Sequence, residues 1–483
     1  MKSKVEEDLV ALYDKAPLDA RYWASISLFI AVLIFDYFDF FLVGFLVAAL
    51  VQQWHLTFGQ SSIMLLSGGV GAIFGALIWG ELADRWGRKP LTVTAVTICA
   101  LSAGLISIIP DGAWIEFSLL RFMVGFGIGA AGAVLAPWTV EYTPTRHRTI
   151  LSSATLIPVS FGILAAALAA TTLMPVLGWR GLAAFGFLPL LPGLLIAAVV
   201  PESVRWLILH GRTLEASGII SRAMEMSPAD LPQRQDAGCG VSRRPDKSSS
   251  FGDLLAMPKA FWLTVLVWFA ASTANYGVFL WGPTIVALLM GLTPAEAAHL
   301  FVFVSLTGIA GRSMFAILPH WLGRRRCGEI MGYCTALTLG AAALFYDRSL
   351  LGYSAFIVIL IPAALFFDGG FSNLVPHAAE IFPVRLNARG TALAQAANGF
   401  GKIAGPLCLA LIAGTSNLIT PKATIDALTP AFLFLAGCGL VVGLAFSFLG
   451  IETHGRPLAL DEESQSNASA PALTVREEVS SKH

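Results

Sequence analysis

Twelve apolar runs, each of roughly 18–28 residues, constrain this chain more than any motif within it. The first half holds Trp23–Ala49, Ser61–Leu82, Leu91–Ile109, Trp114–Pro137, Ile150–Leu173 and Gly181–Val200. The second half holds Phe261–Leu289, Ala295–Leu318, Cys327–Tyr346, Ser354–Ala379, Thr391–Leu418 and Ala431–Phe448. At about 1.5 Å of rise per residue, each run as a helix crosses about 30 Å of hydrocarbon. A backbone in lipid must satisfy its own hydrogen bonds, which leaves helices or a closed barrel. Barrel strands would alternate polar and apolar residues over about ten positions, and these runs do not. The reading is an all-α membrane protein of twelve transmembrane helices.

Composition narrows the function classes. Hydrophobic residues make up 56% of the 483 residues, charged residues 13%, and mean hydropathy is +0.72. A soluble domain carries about 25% charged residues. Formal net charge is zero, so nothing points to nucleic acid as a partner. The six cysteines (Cys99, Cys239, Cys327, Cys334, Cys408, Cys438) lie mostly in apolar runs. Their spacing fits neither a metal site nor a secreted disulfide framework, and packing is the expected role. Gly125, Gly127, Gly129, Ala131 and Gly132 lack the βαβ setting of a nucleotide site, so they read as close helix packing. No cofactor or metal is expected. Glu6, Glu7 and Asp8 precede a first run too long for a signal-peptide core, so a cleaved leader is not expected either.

Loop charges set an orientation. One side carries Arg85, Arg88, Lys89, Arg146, Arg148, Arg324, Arg325, Arg326, Arg385 and Arg389, against Arg180, Arg348 and Lys422 on the other. Ten against three places the first side, and with it both termini, in the cytoplasm. The chain also repeats. Asp84 and His320 stand 236 residues apart in matching loops, Glu141 and Glu380 stand 239 apart, and Glu202 and Glu452 stand 250 apart. Near-constant offsets imply two six-helix halves. The expected organisation is a cytoplasmic tail over 1–22, an N-terminal half over 23–200, and a linker over 201–260. A C-terminal half over 261–450 and a disordered cytoplasmic tail over 451–483 complete it. Glu202–Met226 reads as a surface amphipathic helix and Asp230–Ser250 as a flexible linker.

Gly80-Glu81-Leu82-Ala83-Asp84-Arg85-Trp86-Gly87-Arg88-Lys89 separates the second and third runs. It resembles the loop between helices 2 and 3 of major facilitator superfamily transporters: a Gly, an Asp-Arg pair, then Gly-Arg-Arg/Lys. The later copy, Ala316–Arg325, lacks the leading Gly and has His320 at the Asp position. The resemblance covers about residues 20–460 and implies the major facilitator fold, with two pseudo-symmetric halves rocking about a central site. It implies that Asp84, Arg85, Arg88 and Lys89 make charge contacts between the halves that favour the outward-facing state. It likewise makes Glu141, Arg146, Glu202, Glu380 and Arg385 members of a cytoplasmic salt-bridge cluster like that of sugar porters. Pro201-Glu202-Ser203-Val204-Arg205-Trp206-Leu207 agrees with that subfamily.

Asp36 and Asp39 stand near the middle of the first run, where an ionised carboxylate costs at least about 2.5–3.5 kcal/mol. At i and i+3 they share one helix face, which must look into the bundle or a wet cavity. Burial and mutual repulsion both make such carboxyls protonatable. Asp-x-x-Asp resembles the first-helix motif of aromatic-acid:proton symporters, with Tyr37 where the usual Gly would follow. Sugar-porter relatives pair an Asp of helix 1 with an Arg of helix 4, which falls here on Asp39 and Arg121. The alternatives are a structural role for the carboxylates and a snorkelling Arg121. Asn275, Tyr276, Asp368, Asn373, His377, Gln395, Asn398 and Lys402 interrupt apolar sequence in the second half. Gln395, Asn398 and Lys402 follow i, i+3, i+7 and share a stripe, which favours a substrate cavity over separate interhelical hydrogen bonds. Many symporter relatives carry Arg where Gly399 stands, and Lys402 one turn on can replace its charge. Arg312 reads as gate or snorkelling residue.

These residues point to proton-coupled uptake of a small organic solute through the cell membrane by a monomer. Arg121, Lys402 and His377 favour an organic or aromatic carboxylate, with a sugar or polyol second. A drug:proton antiporter would carry a Gly-rich motif in the fifth run, which has only Gly162. An enzyme would need metal-ligand or nucleophile constellations in its spans, and a membrane sensor would more often append a soluble domain. The topology predicts that an impermeant thiol reagent applied outside intact cells labels a cysteine placed at Thr57 or Thr293. One placed at Ser249 should stay unlabelled, and its labelling would contradict the twelve-span order.

Overall fold

The computed structural model describes residues 4–143, 157–224, 226, 252–350, 352–383 and 386–453. A short helix, α1 (Lys4–Tyr13), precedes the first crossing, α2 (Ala20–Gln53). Asp19 starts α2 by accepting the Tyr22 N–H at 2.7 Å, one of the donors a helix start leaves open. α3 (Phe58–Trp86) opens on a reciprocal cap between Thr57 and Gln60. α4 (Arg88–Leu105) follows. The fourth crossing is α5 (Trp114–Ala130), a π turn over Ala131–Leu135, and α6 (Ala136–Tyr142).

Eleven stretches among the described residues are long and apolar enough to cross a membrane, and one of them counts twice. Ser160–Val199 runs 40 residues, about 60 Å as one helix and twice the bilayer core. Gly178 breaks it, at φ 65° and ψ −179°, a backbone conformation that residues with a Cβ avoid. The fifth crossing is therefore the part of α7 (Ile157–Ala184) before Gly178. The sixth runs from there through α8 (Leu190–Val199). Arg180 pins the turn by donating to the Ile109 carbonyl oxygen at 2.6 Å and to Asp111 at 2.9 Å. The expected start of the fifth span, residues 150–156, lies outside the described residues.

The expected amphipathic segment after the sixth crossing forms two helices, α9 (Val204–Leu209) and α10 (Thr213–Met224). They pack with α1 through Leu9, Tyr13, Trp206, Leu207 and Ile220, and Arg205 pairs with Asp14 at 2.7 Å. Burial pushes the Tyr13 phenol above its ordinary pKa, so it stays protonated and donates to the Tyr142 carbonyl oxygen at 3.1 Å. The expected linker over 230–250 and the tail after His454 lie outside the described residues.

After α11 (Gly252–Leu255), the second half contains α12 (Pro258–Met290), α13 (Pro294–Ile317) and α14 (Pro319–Leu344). A two-residue antiparallel pair, Ser349–Leu350 with Tyr353–Ser354, leads into α15 (Ala355–Phe367). α15 and α16 (Phe371–Glu380) together make one crossing, followed by α17 (Asn387–Ala413) and α18 (Pro421–Leu449).

Within the halves, α3 packs on α5 and α14 on α18; between them, α2 meets α12, α3 meets α17, and α7 meets α13. The outer surface is apolar: Leu337 and Phe448 are 72% and 80% exposed, as a lipid-facing surface requires. At the end away from the basic loops the halves are joined by backbone hydrogen bonds. Phe58 N donates to Asn417 O at 3.0 Å, Gly59 N to Thr415 O at 2.9 Å, and Ile419 N to Leu56 O at 3.1 Å.

Candidate functional site

The mid-membrane carboxylates of α2 face inward. Asp36 and Asp39 are each 4% exposed and Arg121 of α5 is 1% exposed. Arg121 Nη1 donates to Asp39 Oδ2 at 2.7 Å, and Nη2 approaches the Phe40 carbonyl oxygen at 3.5 Å. The guanidinium passes α3 at Gly68, whose Cβ position lies 3.6 Å from Arg121 Nη2. The Arg121 Nε is buried without a partner among the described residues. Asp36 lies one turn earlier and is bound to no cation among the described residues. The arrangement is a charged acid held by one base beside a second acid with none.

A second group forms where the halves meet. Lys402 Nζ of α17 lies 5.0 Å from the centre of the Phe40 ring and 5.3 Å from that of Tyr276. Tyr276 stacks on Phe41 at 5.7 Å, and Phe41 meets Phe279 edge-on. The Lys402 stem packs over Gly69 of α3, whose Cβ position lies 3.2 Å from Lys402 Cβ. Among the described residues no carboxylate pairs with Lys402. Asn398 and Gln395 continue the expected stripe: Ser272 Oγ donates to Asn398 Oδ1 at 2.7 Å and Asn398 Nδ2 donates to Gln395 Oε1 at 3.3 Å. An ammonium between two ring faces, with amides along one side, can hold an anion that also carries a ring. Phe40, Phe41 and Ser272 were invisible as site residues in the sequence, since aromatic and small residues are ordinary in apolar runs.

The remaining expected residues separate. Asn275 Nδ2 donates to Asp368 Oδ1 at 3.1 Å. Arg312 of α13 grips the same carboxylate with two bonds, Nε to Oδ2 at 3.0 Å and Nη2 to Oδ1 at 2.8 Å. Arg312 is therefore an ion-pair partner, and the snorkelling alternative does not describe it. Asn373 and His377 do not join the Lys402 group. Asn373 Nδ2 donates to the Arg324 carbonyl oxygen at 2.9 Å, and His377 Nε2 lies 3.1 Å from the Ile451 carbonyl oxygen. Both belong to the basic end, because α16 carries them beyond the break that follows Phe367.

At that end the sequence repeat becomes a repeated object. Arg88 Nη2 donates to Glu141 Oε1 at 3.2 Å, and Ser203 Oγ donates to Glu141 Oε2 at 2.7 Å. Glu202 accepts the Arg88 N–H at 3.0 Å and the Lys89 N–H at 3.1 Å, a carboxylate on the open donors of a helix start. In the second half Arg324 Nη2 donates to Glu380 Oε1 at 2.6 Å and Thr453 Oγ1 to Glu380 Oε2 at 2.7 Å. Glu452 accepts the Arg324 N–H at 2.9 Å and the Arg325 N–H at 3.2 Å. Each carboxylate approaches over a glycine with positive φ, Gly87 at 105° and Gly323 at 78°, where a Cβ would overlap it. The bonds just named close within one half. Asp84, 72% exposed, pairs with Arg88 at 2.8 Å, and Arg85 pairs with Glu81. Arg146 and Arg385 lie outside the described residues.

Twelve crossings in two related halves, with polar side chains gathered between them, define a membrane transporter and not an enzyme. Residues 31–463 match the family model described as sugar (and other) transporter, and the chain belongs to that family, within the major facilitator superfamily. Among curated relatives, the niacin transporter of Acinetobacter baylyi is 27% identical over 93% of this chain and 99% of its own. The 4-hydroxybenzoate transporter of the same organism is 26% identical, covering 85% and 89%. The gallate transporter of Pseudomonas putida is 26% identical over 96% of each chain. Among solved structures, the inward-open xylose transporter of E. coli superposes with a TM-score of 0.67 at 18% identity, over 92% of this chain and 99% of that one. That likeness concerns the fold.

The buried pair makes a stability prediction. Asp39→Leu strands the Arg121 charge and should cost about 3–5 kcal/mol, read as a lowered thermal unfolding midpoint in detergent. Asp39→Leu combined with Arg121→Met should recover most of that loss. An Asp39→Leu protein as heat-stable as wild type would contradict the pairing.

Proposed function

We propose that this chain carries a small organic carboxylate, an aromatic one, into the cell together with protons, acting as a monomer by alternating access. The observation that carries this reading is Lys402: a cation between Phe40 and Tyr276 with no carboxylate paired to it among the described residues. An unpaired ammonium in the membrane interior is costly, and an anionic substrate removes that cost each time it binds. Phe40 and Tyr276 belong to different halves and meet edge to face at 5.5 Å between ring centres, a contact that alternating access can make and break. A sugar or polyol would leave the charge uncompensated. Niacin, 4-hydroxybenzoate and gallate, the compounds in the relatives' names, are all aromatic carboxylates. Gln395, Asn398 and Tyr276 are the neighbouring polar groups we assign to the substrate path.

Proton coupling is assigned to Asp39, with Arg121 as partner and Asp36 tuning it. Protonating Asp39 dissolves the 2.7 Å ion pair and frees α2 from α5, which biases the two-state equilibrium of the halves. With the basic face in the cytoplasm, the backbone bonds between Leu56–Gly59 and Thr415–Ile419 shut the outer side, so this conformation is closed to the outside. In the outward-facing state we assign the closing contacts of the cytoplasmic side to Asp84, Arg85, Arg88, Lys89, Glu141, Glu202 and Glu380, together with Arg146 and Arg385.

The test is substrate uptake into proteoliposomes from a panel of aromatic carboxylates, their amides and neutral sugars. Carboxylates should be taken up and their amides refused. Lys402→Gln should raise KM for the carboxylate at least tenfold, while Lys402→Arg keeps much of the affinity. Wild-type KM in Lys402→Gln, or preference for a neutral sugar, would contradict the assignment.

A further inference from the structure

The tenth crossing is not one helix. α15 stops at Phe367, Asp368–Gly370 form a break, and α16 begins at Phe371. At mid-membrane depth irregular backbone persists only where protein groups satisfy it, and discontinuous helices of transporters tend to hold coupling-ion sites. Asp368 stands in the break, 2% exposed. Its carboxylate ties three crossings together through the Arg312 fork from α13 and Asn275 from α12. The approach is possible because α13 has glycine opposite: a Cβ on Gly308 would lie 2.7 Å from Asp368 Oδ2, and one on Gly311 would overlap the Leu365 carbonyl.

The repeat gives this group its meaning. Asn275 stands 236 residues after Asp39, the offset of the decapeptide repeat, so the C-terminal half has an amide where the N-terminal half has its acid. The acid of the second half is displaced to the break in the fourth helix of that half, and its base to the second helix. Each half thus contains one buried carboxylate–guanidinium pair, built from different helices. Besides Arg312, the titratable groups in electrostatic reach of the Asp368–Arg312 pair are the phenols of Tyr276 on α12 and Tyr37 on α2. Both phenols are neutral at ordinary pH, so Arg312 is the one opposing charge among the groups named. A protonated Asp368 keeps one acceptor oxygen and cannot hold both arms of the Arg312 fork. Its protonation loosens α15 from α13 at the break, where a crossing can bend.

We propose that Asp368 is a second proton-binding site, so that each cycle moves two protons, one in each half. The inference rests on the carboxylate symport proposed above. Two protons with one monocarboxylate carry a net positive charge, whereas one proton with one monocarboxylate carries none. Steady-state accumulation of 4-hydroxybenzoate in proteoliposomes measures the difference. A tenfold potassium gradient with valinomycin, interior negative, should raise wild-type accumulation about tenfold, as expected for one net charge. Asp368→Asn should accumulate the compound from a pH gradient yet ignore the potential. Asp368→Asn combined with Arg312→Gln leaves no charge stranded, and should behave likewise if the single variant folds poorly. Wild-type accumulation that ignores the potential overturns the second site alone, as does a potential response retained in both variants. Absence of any pH-driven accumulation in wild type overturns the carboxylate symport and the second site with it.

Discussion

Hydrocarbon cannot hydrate a charge, and the interior of this chain is arranged around that cost. Asp39 and Arg121 are each nearly inaccessible and lie 2.7 Å apart; either alone would carry several kcal/mol of desolvation. Asp368 is as inaccessible and lies 2.8 Å from the partly buried Arg312. A pair so placed stabilises little beyond its own cost, but it can be removed by one proton. That makes it suited to control: the bonded state and the protonated state differ in which helices are held together. Lys402 is the exception that completes the scheme, a cation cushioned by ring faces in place of a carboxylate partner.

The two ends of the halves differ in chemistry. At the closed end the contact is backbone to backbone, from Leu56–Gly59 to Thr415–Ile419. At the basic end each half keeps its own charge cluster, Glu141 and Glu202 with Arg88, Glu380 and Glu452 with Arg324. Their paired side chains are 13–29% exposed, so water still reaches the charges at that end. Closure between the halves at one end and separate clusters at the other suit a protein that must alternate between two states.

Much of this was legible in the sequence because it depends on chain position alone. Run length gave twelve crossings, and the offsets of Glu141 to Glu380 and Glu202 to Glu452 identified the residues of two matching clusters before any geometry. Depth along a helix also brought Asp39 and Arg121 together. What failed was placement along the tenth crossing. Asn373 and His377 looked like cavity residues because they interrupt an apolar run, yet the break at Asp368–Gly370 carries them toward Arg324 and Ile451. The same break hid the Arg312–Asp368 pair, since no repeat offset relates it to Asp39 and Arg121. The cushion on Lys402 was hidden for another reason: Phe40 looks like an ordinary apolar residue, and Tyr276, though expected at the cavity, meets Lys402 only once the halves are packed together.

The claim on which the account turns is that proton energy enters through the Asp39–Arg121 pair. It is tested most directly by measuring uphill uptake and substrate counterflow side by side in proteoliposomes containing Asp39→Asn. This substitution imitates the protonated acid and removes the proton this pair carries, so accumulation driven by a pH gradient should fall well below that of wild type while counterflow, which moves no net proton, survives at least in part. An Asp39→Asn protein that concentrates substrate as well as wild type would contradict the account.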